Sequence, residues 1–210
     1  MDMELLHDLR LPLQLIQASA ELLGQSAGGP AAREYLNQLL DGVEQMRRML
    51  DGALSASARG EFAPVEAVGC LRALCLRCRD WAARRGVTLA FSSNVAALTL
   101  LTDGDRLSRI ALNLMMNAIR FSPPGGTVAV TCAALGDFIE ISVADQGRGI
   151  DPDRLPYIFL RGETDGGAGY GLPSALEGAR RLGGSLSAKS TPGRGSTFTL
   201  RLPVRGAMVS

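Results

Sequence analysis

Two apolar seams near the start of the chain constrain its fold more than any other feature. Leu6, Leu9, Leu13, Ile16, Ala20 and Leu23 recur at intervals of three and four residues, as do Leu36, Leu39, Val43, Met46, Leu50 and Ala53. Such spacing keeps each set on one stripe of an α-helix. Breakers from Gly24 to Pro30 separate the sets, so the pair reads as an antiparallel helical hairpin. One hairpin has too little apolar surface to bury by itself, whereas two copies close a four-helix bundle with two-fold symmetry. The seam geometry therefore predicts a homodimer.

The heptads stop around Ser57 to Pro64, where small residues mark a linker. Beyond it the pattern predicts a helix near Val65–Arg85 and strands near Val87–Phe91 and Thr99–Thr102. A helix from about Asp105 to Arg120 follows, with Asp105 as its cap. Strands near Thr127–Ala134 and Phe138–Ala144, a helix near Leu172–Leu182, and strands near Ser185–Ser190 and Ser196–Leu202 complete the order. This order suits an α/β sandwich with helices on one face of a largely antiparallel sheet. The chain thus divides into a hairpin (1–58), a linker (59–64) and an α/β domain (65–205), α+β overall.

Composition narrows the function classes. A net charge of +1 gives no electrostatic case for nucleic-acid binding. No apolar run approaches the roughly 20 residues that span a bilayer, and no signal peptide is visible. Cys70, Cys75 and Cys78 share a spacing with one class of iron–sulfur protein. However, Leu71, Leu74, Cys75, Cys78 and Ala82 recur at helical spacing, which makes Cys75 and Cys78 small apolar residues on a helix. Together with Cys132 they read as reduced thiols of a cytoplasmic protein.

Most of the excess of glycine, 25 residues in all, falls after Gly125, as expected where backbone approaches a ligand closely. Gly167, Gly169 and Gly171 run straight into the helix that begins near Leu172. Successive glycines let N–H groups turn toward phosphate oxygens, and a helix N-terminus adds partial positive charge. No parallel strand–turn–helix unit surrounds them, which argues against a dinucleotide-binding turn.

His7 is the only histidine. It lies beside the Leu6/Leu9 seam and faces solvent, and Pro12 bends the helix just after it. Asn113 and Asn117 lie one helical turn apart in apolar surroundings, where an amide oxygen offers a hard, neutral ligand suited to Mg²⁺. Asp145-Gln146-Gly147-Arg148-Gly149 follows an apolar strand.

In this order, His7-Asp8-Leu9-Arg10-Leu11-Pro12, Asn113–Asn117, Asp145–Gly149 and Gly167–Gly171 resemble the sensor histidine kinases of two-component signalling. The resemblance implies a Bergerat ATP-binding fold for the second domain and an ATP-dependent protein-histidine kinase core. Asn117 would hold the magnesium and Asn113 line the phosphate end. Arg120 would offer a cation to the phosphates and Phe121 a face to the adenine. Asp145 would accept from the adenine amine, in a turn built on Gly147 and Gly149, which favours adenine over guanine. Phe159 occupies the F-box position and begins a lid over ATP that runs to Gly167 and is shorter than the family's usual one. Gly167, Gly169, Gly171 and Leu172 would meet the phosphates. The Gly193–Phe198 segment matches a family element read as a structural turn between strands.

By the same resemblance, His7 attacks the γ-phosphate and Asp8 serves as general base or orienting group. The phosphoryl group then passes to an aspartate on the receiver domain of a response regulator. Leu11, one turn after His7, has neither donor nor acceptor where strongly phosphatase-active members carry threonine or asparagine, so weak phosphatase activity is expected. The expected location is the cytoplasm, including the cytoplasmic part of any membrane-anchored parent. The competing reading is a non-catalytic ATP-binding interaction module whose short lid does not support turnover. A serine-directed kinase of the same fold is disfavoured by the attached histidine helix.

Overall fold

The computed structural model of the protein describes residues 61–160 and 171–204 throughout, together with 13, 14, 16–23, 29, 32, 35, 36, 39, 42, 43 and 46. The chain divides into two compact units, the larger of which is Gly60–Glu163 with Leu172–Ser210. In the smaller unit the described residues of both seams, among them Ile16, Ala20, Leu39 and Met46, are helical. Leu6, Leu9, Leu50 and Ala53 lie outside the described residues.

The larger unit runs β1 (Ala63–Glu66), α1 (Ala67–Arg84), β2 (Thr88–Ser93), β3 (Thr99–Thr102), α2 (Gly104–Phe121), β4 (Thr127–Leu135) and β5 (Phe138–Ala144). A short 3-10 turn at Leu155–Tyr157 precedes α3 (Gly171–Arg181), β6 (Ser185–Thr191) and β7 (Gly195–Pro203). Five strands form one sheet in the order β2-β4-β5-β7-β6, and β1 pairs with β3 in a separate antiparallel ribbon. The sheet is mixed: β2 and β4 run parallel, and the remaining neighbours are antiparallel.

Period-two alternation explains how the sheet buries one side. Val128, Val130, Cys132, Ile139, Ile141, Val143, Phe198, Leu200 and Leu202 face the core, while Thr131, Ser142, Thr199 and Arg201 alternate outward. Helices cover the buried side: α2 packs on β4 and β5, and α1 packs on α2 and β2. On α2, Leu107, Ile110, Ala111, Leu114, Met115, Ala118 and Ile119 form the buried stripe. On α1, Cys75 and Cys78 are buried with Leu71, Leu74 and Ala82, so the helical reading of these cysteines holds.

Two local expectations need correction. The cap of α2 is Asp103, not Asp105: its carboxylate accepts from the Arg106 amide at 2.9 Å and pairs with the Arg106 guanidinium at 3.0 Å. Asp105 falls inside the first turn. Strand β1 also occupies the stretch expected to end the linker and begin a helix. The helix starts at Ala67 because Glu66 caps it, accepting from the Val68 amide at 3.0 Å and from the Leu98 amide at 2.9 Å. That second bond ties the start of α1 to the residue before β3, a long-range contact invisible to local periodicity.

Candidate functional site

The C-terminal end of β5 delivers Asp145, and backbone bonds fasten it there. The Asp145 amide donates to the Ser196 carbonyl at 2.8 Å, extending the β5–β7 ladder by one residue. The Asp145 carboxylate turns back on its own loop, with Oδ1 accepting from the Gly147 amide at 2.8 Å and the Ser196 amide at 3.2 Å. Burial pushes the Asp145 carboxyl above its usual range, and the two amides counter only part of that effect. Both bonds fall on Oδ1, and among the described residues Oδ2 takes none.

Three neighbours hold the 145–150 loop. At the end of α2, the Phe121 carbonyl lies 2.5 Å from where a Cβ on Gly147 would stand, so only glycine fits. At the start of β4, the Thr127 amide donates to the Gln146 side-chain oxygen at 2.8 Å. At the β6–β7 turn, the Gly193 amide donates to the Arg148 carbonyl at 2.7 Å and the Ile150 amide to the Ser190 hydroxyl at 2.8 Å. Gly195, with φ of +99°, would drive a Cβ into the Asp145 carbonyl, and a Cβ on Gly149 would meet the Thr191 carbonyl. The Gly193–Phe198 segment is therefore more than a link between strands: it is the backing against which Asp145 is set.

The end of α2 meets this loop. Asn113, Asn117 and Arg120 are partly exposed positions on that helix. Phe121, 37% exposed, has the Arg120 guanidinium 5.4 Å and the Arg148 guanidinium 5.3 Å from its ring centroid. The C-terminal half of α2 and the 145–150 loop thus gather two amides, two guanidiniums and an aromatic ring beside a half-buried carboxylate. Amide oxygens are hard neutral donors, so the asparagine pair fits a magnesium ion that keeps waters and shares phosphate oxygens. Cations beside the pair suit phosphoryl oxygens.

Other expected residues sit differently. Phe159 and Leu172 pack against the hydrophobic core. Gly171 opens α3. His7, Asp8, Gly167 and Gly169 lie outside the described residues, as does Leu11. Ser190 and Thr127 carry no signal in the sequence, and Gln146 and Ser196 stand within its motifs without an assigned role. Small polar residues at strand ends carry no distinguishing pattern until their partners, 40 and 51 residues away, are known.

A family model described as histidine kinase-, DNA gyrase B- and HSP90-like ATPase matches residues 102–206. The chain belongs to this family. Its homology to sensor histidine kinases extends further: it is 31% identical to the sensor histidine kinase ZraS of Escherichia coli (strain K12), over 94% of this chain and 44% of that protein. It therefore spans less than half the length of that relative. Full-length ShkA, solved in complex with AMPPNP, is 26% identical with a TM-score of 0.71, covering 95% of this chain and 47% of that one. Histidine kinase ThkA, solved with the response regulator protein TrrA, shares the fold at a TM-score of 0.71 and 17% identity, covering 96% of this chain and 60% of that one. The architecture is the α+β Bergerat-type ATPase fold with a mixed sheet. No helix among the described residues is long and apolar enough to cross a membrane.

Proposed function

We propose that this chain is the core of an ATP-dependent protein-histidine kinase. The observation that carries the reading is the half-buried Asp145 carboxylate, held at Oδ1 by the Gly147 and Ser196 amides and flanked by the Asn113–Phe121 end of α2. An acceptor-only oxygen in a half-buried setting suits the adenine amine. Gly147 and Gly149 let the backbone come close to the base, and Phe121 adds an aromatic surface beside it. Asn117 would hold Mg²⁺, with Asn113 and Arg120 toward the phosphates. When bound, the ion neutralises charge across the phosphoryl oxygens. The homologous sensor histidine kinases and the AMPPNP complex of ShkA support this assignment.

His7 is the acceptor in this reading. Its imidazole nitrogen attacks the γ-phosphorus in line, ADP leaves, and Asp8 orients the ring or takes its proton. Phe159, packed against the core, would begin the lid that runs to Gly167, and Gly167, Gly169, Gly171 and Leu172 would meet the phosphates. A response-regulator receiver domain then takes the phosphoryl group on an aspartate, and the structure of ThkA with TrrA supports that class of partner. Residues 1–58 would form the dimerisation and phosphotransfer hairpin, 59–64 the linker and 65–205 the catalytic domain, all in the cytoplasm. The seam residues Leu13, Leu36 and Val43 are 53%, 43% and 48% exposed in the single chain, an apolar face for a second copy to cover.

Incubation with Mg-ATP tests the reading. The expected product is an acid-labile, base-stable adduct on His7 that Gln substitution (His7→Gln) abolishes. ATP binding without any phosphoprotein would favour the non-catalytic module with its short lid. Phosphate on serine, or phosphate persisting in the variant, would overturn the kinase assignment.

A further inference from the structure

The Ser190 hydroxyl stands among three partners. The Ile150 amide donates to it at 2.8 Å, the Gly195 carbonyl lies 2.9 Å away, and the Ser196 hydroxyl lies 2.9 Å away. A hydroxyl has one proton and two acceptor sites. A carbonyl cannot donate, so the Gly195 contact is a hydrogen bond only with the Ser190 proton in it. The Ile150 amide fills one acceptor site of Ser190. The other is left for Ser196, whose hydroxyl must therefore be the donor of that pair. With its proton turned back to Ser190, the Ser196 oxygen presents only lone pairs to its remaining surroundings.

Those surroundings include the Asp145 site. Ser196 is 7% exposed, and its amide is already bonded to the Asp145 carboxylate. Alternation along β7 puts the Ser196 side chain on the same side of the sheet as Phe198 and Leu200. Alternation along β5, carried one residue past its end, puts Asp145 on the side of Val143. Both are the helix-covered side.

We propose that Ser190 is a positioning residue that sets the base selectivity of this site by locking the Ser196 hydroxyl as an acceptor. The inference rests on the reading of Asp145 as the adenine anchor and deepens it. Two neighbouring acceptors, Asp145 Oδ2 and Ser196 Oγ, suit an exocyclic amine and disfavour a carbonyl at the same ring position. Without the Ser190 hydroxyl, the Ser196 proton is released and can turn toward a carbonyl.

Inosine triphosphate is the matched probe, since it replaces the 6-amine of ATP by a carbonyl and places a proton on N1. Calorimetry with ATP and inosine triphosphate, each with Mg²⁺, is compared for the wild type, Ser190→Ala, Ser196→Ala and the double variant. The wild type is expected to prefer ATP, and Ser190→Ala to narrow the ratio of the two dissociation constants by roughly tenfold, the scale of one hydrogen bond. On the Ser196→Ala background the same change should leave the ratio unaltered, because no hydroxyl remains to reorient. Ser190→Thr, which keeps the hydroxyl, should retain the wild-type ratio. A loop merely loosened by Ser190→Ala would weaken both nucleotides alike. An unchanged ratio in Ser190→Ala, with wild-type preference for ATP intact, overturns the inference and leaves the adenine reading standing. A wild type that binds both nucleotides equally, or keeps its preference in Asp145→Asn, overturns both.

Discussion

Asp145→Asn separates what this carboxylate does for the fold from what it does for a nucleotide. In the folded protein, Oδ1 takes both amide bonds, from Gly147 at 2.8 Å and Ser196 at 3.2 Å. An asparagine oxygen can occupy the same place and accept both. Oδ2 is replaced by an NH₂ group, which turns an acceptor into a donor against the adenine amine. Losing a hydrogen bond to a charged acceptor costs about 1.5–3 kcal/mol, so the dissociation constant for ATP should rise on the order of 10- to 100-fold. Stability should move the other way. Burial holds the folded carboxyl above its ordinary range, so the folded state binds the proton more tightly than the unfolded chain does. Ionising Asp145 therefore costs stability at neutral pH, and the cost disappears as pH falls below the unfolded value of 3.8. The neutral amide carries no such cost at any pH. Near pH 7 the melting temperature of the variant should match or exceed that of the wild type, and any gap should close toward acid pH. The wild type should also lose ATP affinity on acidification at a higher pH than an ordinary aspartate would. Alanine is the poorer probe, because it strands two part-buried amides at a cost of about 1–3 kcal/mol. The assays are scanning fluorimetry and calorimetry from pH 4 to pH 8, roughly the window between carboxylate and neutral conditions. Wild-type ATP affinity in Asp145→Asn, or a drop in melting temperature as large as that of Asp145→Ala, would refute the reasoning.

Gly195→Ala should destabilise the larger unit by roughly 2–3 kcal/mol, because the new Cβ meets the Asp145 carbonyl from a backbone at φ +99°. A denaturant midpoint equal to that of the wild type would mean the β6–β7 turn yields freely. Burial pushes the Cys75 thiol up to about 12 and the Cys132 thiol up to about 11, so neither should react with iodoacetamide at pH 8 until the protein unfolds. Mass mapping that finds either one alkylated in the native state contradicts this. Leu11 should leave the protein a poor phosphatase, measured as decay of purified phospho-regulator with and without this protein plus ADP. Marked acceleration that persists when Leu11 is altered would show that this position does not govern the reaction.

Much of the architecture could be read from local pattern. The alternation along Phe138–Ala144 and the 3.6-residue stripe on Gly104–Phe121 each bury a face whatever lies opposite, so their identity as strand and helix was legible. The order of the asparagine helix, the Asp145 turn and the glycine segment likewise pointed to the family, since the residues of each motif are close in sequence. Tertiary structure decided the rest. Four residues, Ala63–Glu66, become a strand only because Thr99–Thr102 offers them a partner. Asp103 rather than Asp105 caps α2 because only its carboxylate reaches back to the Arg106 amide. The β2–β4 pairing is parallel because the chain crosses over between them through β3 and α2. The seat of Asp145 depends on Thr127, Ser190, Gly195 and Ser196, none adjacent to it in sequence. Periodicity reports on which face of an element is apolar, a property of a few neighbouring residues. A hydroxyl or amide that bonds a loop 40 residues away has no counterpart in local pattern, and only the closed sheet brings the two together.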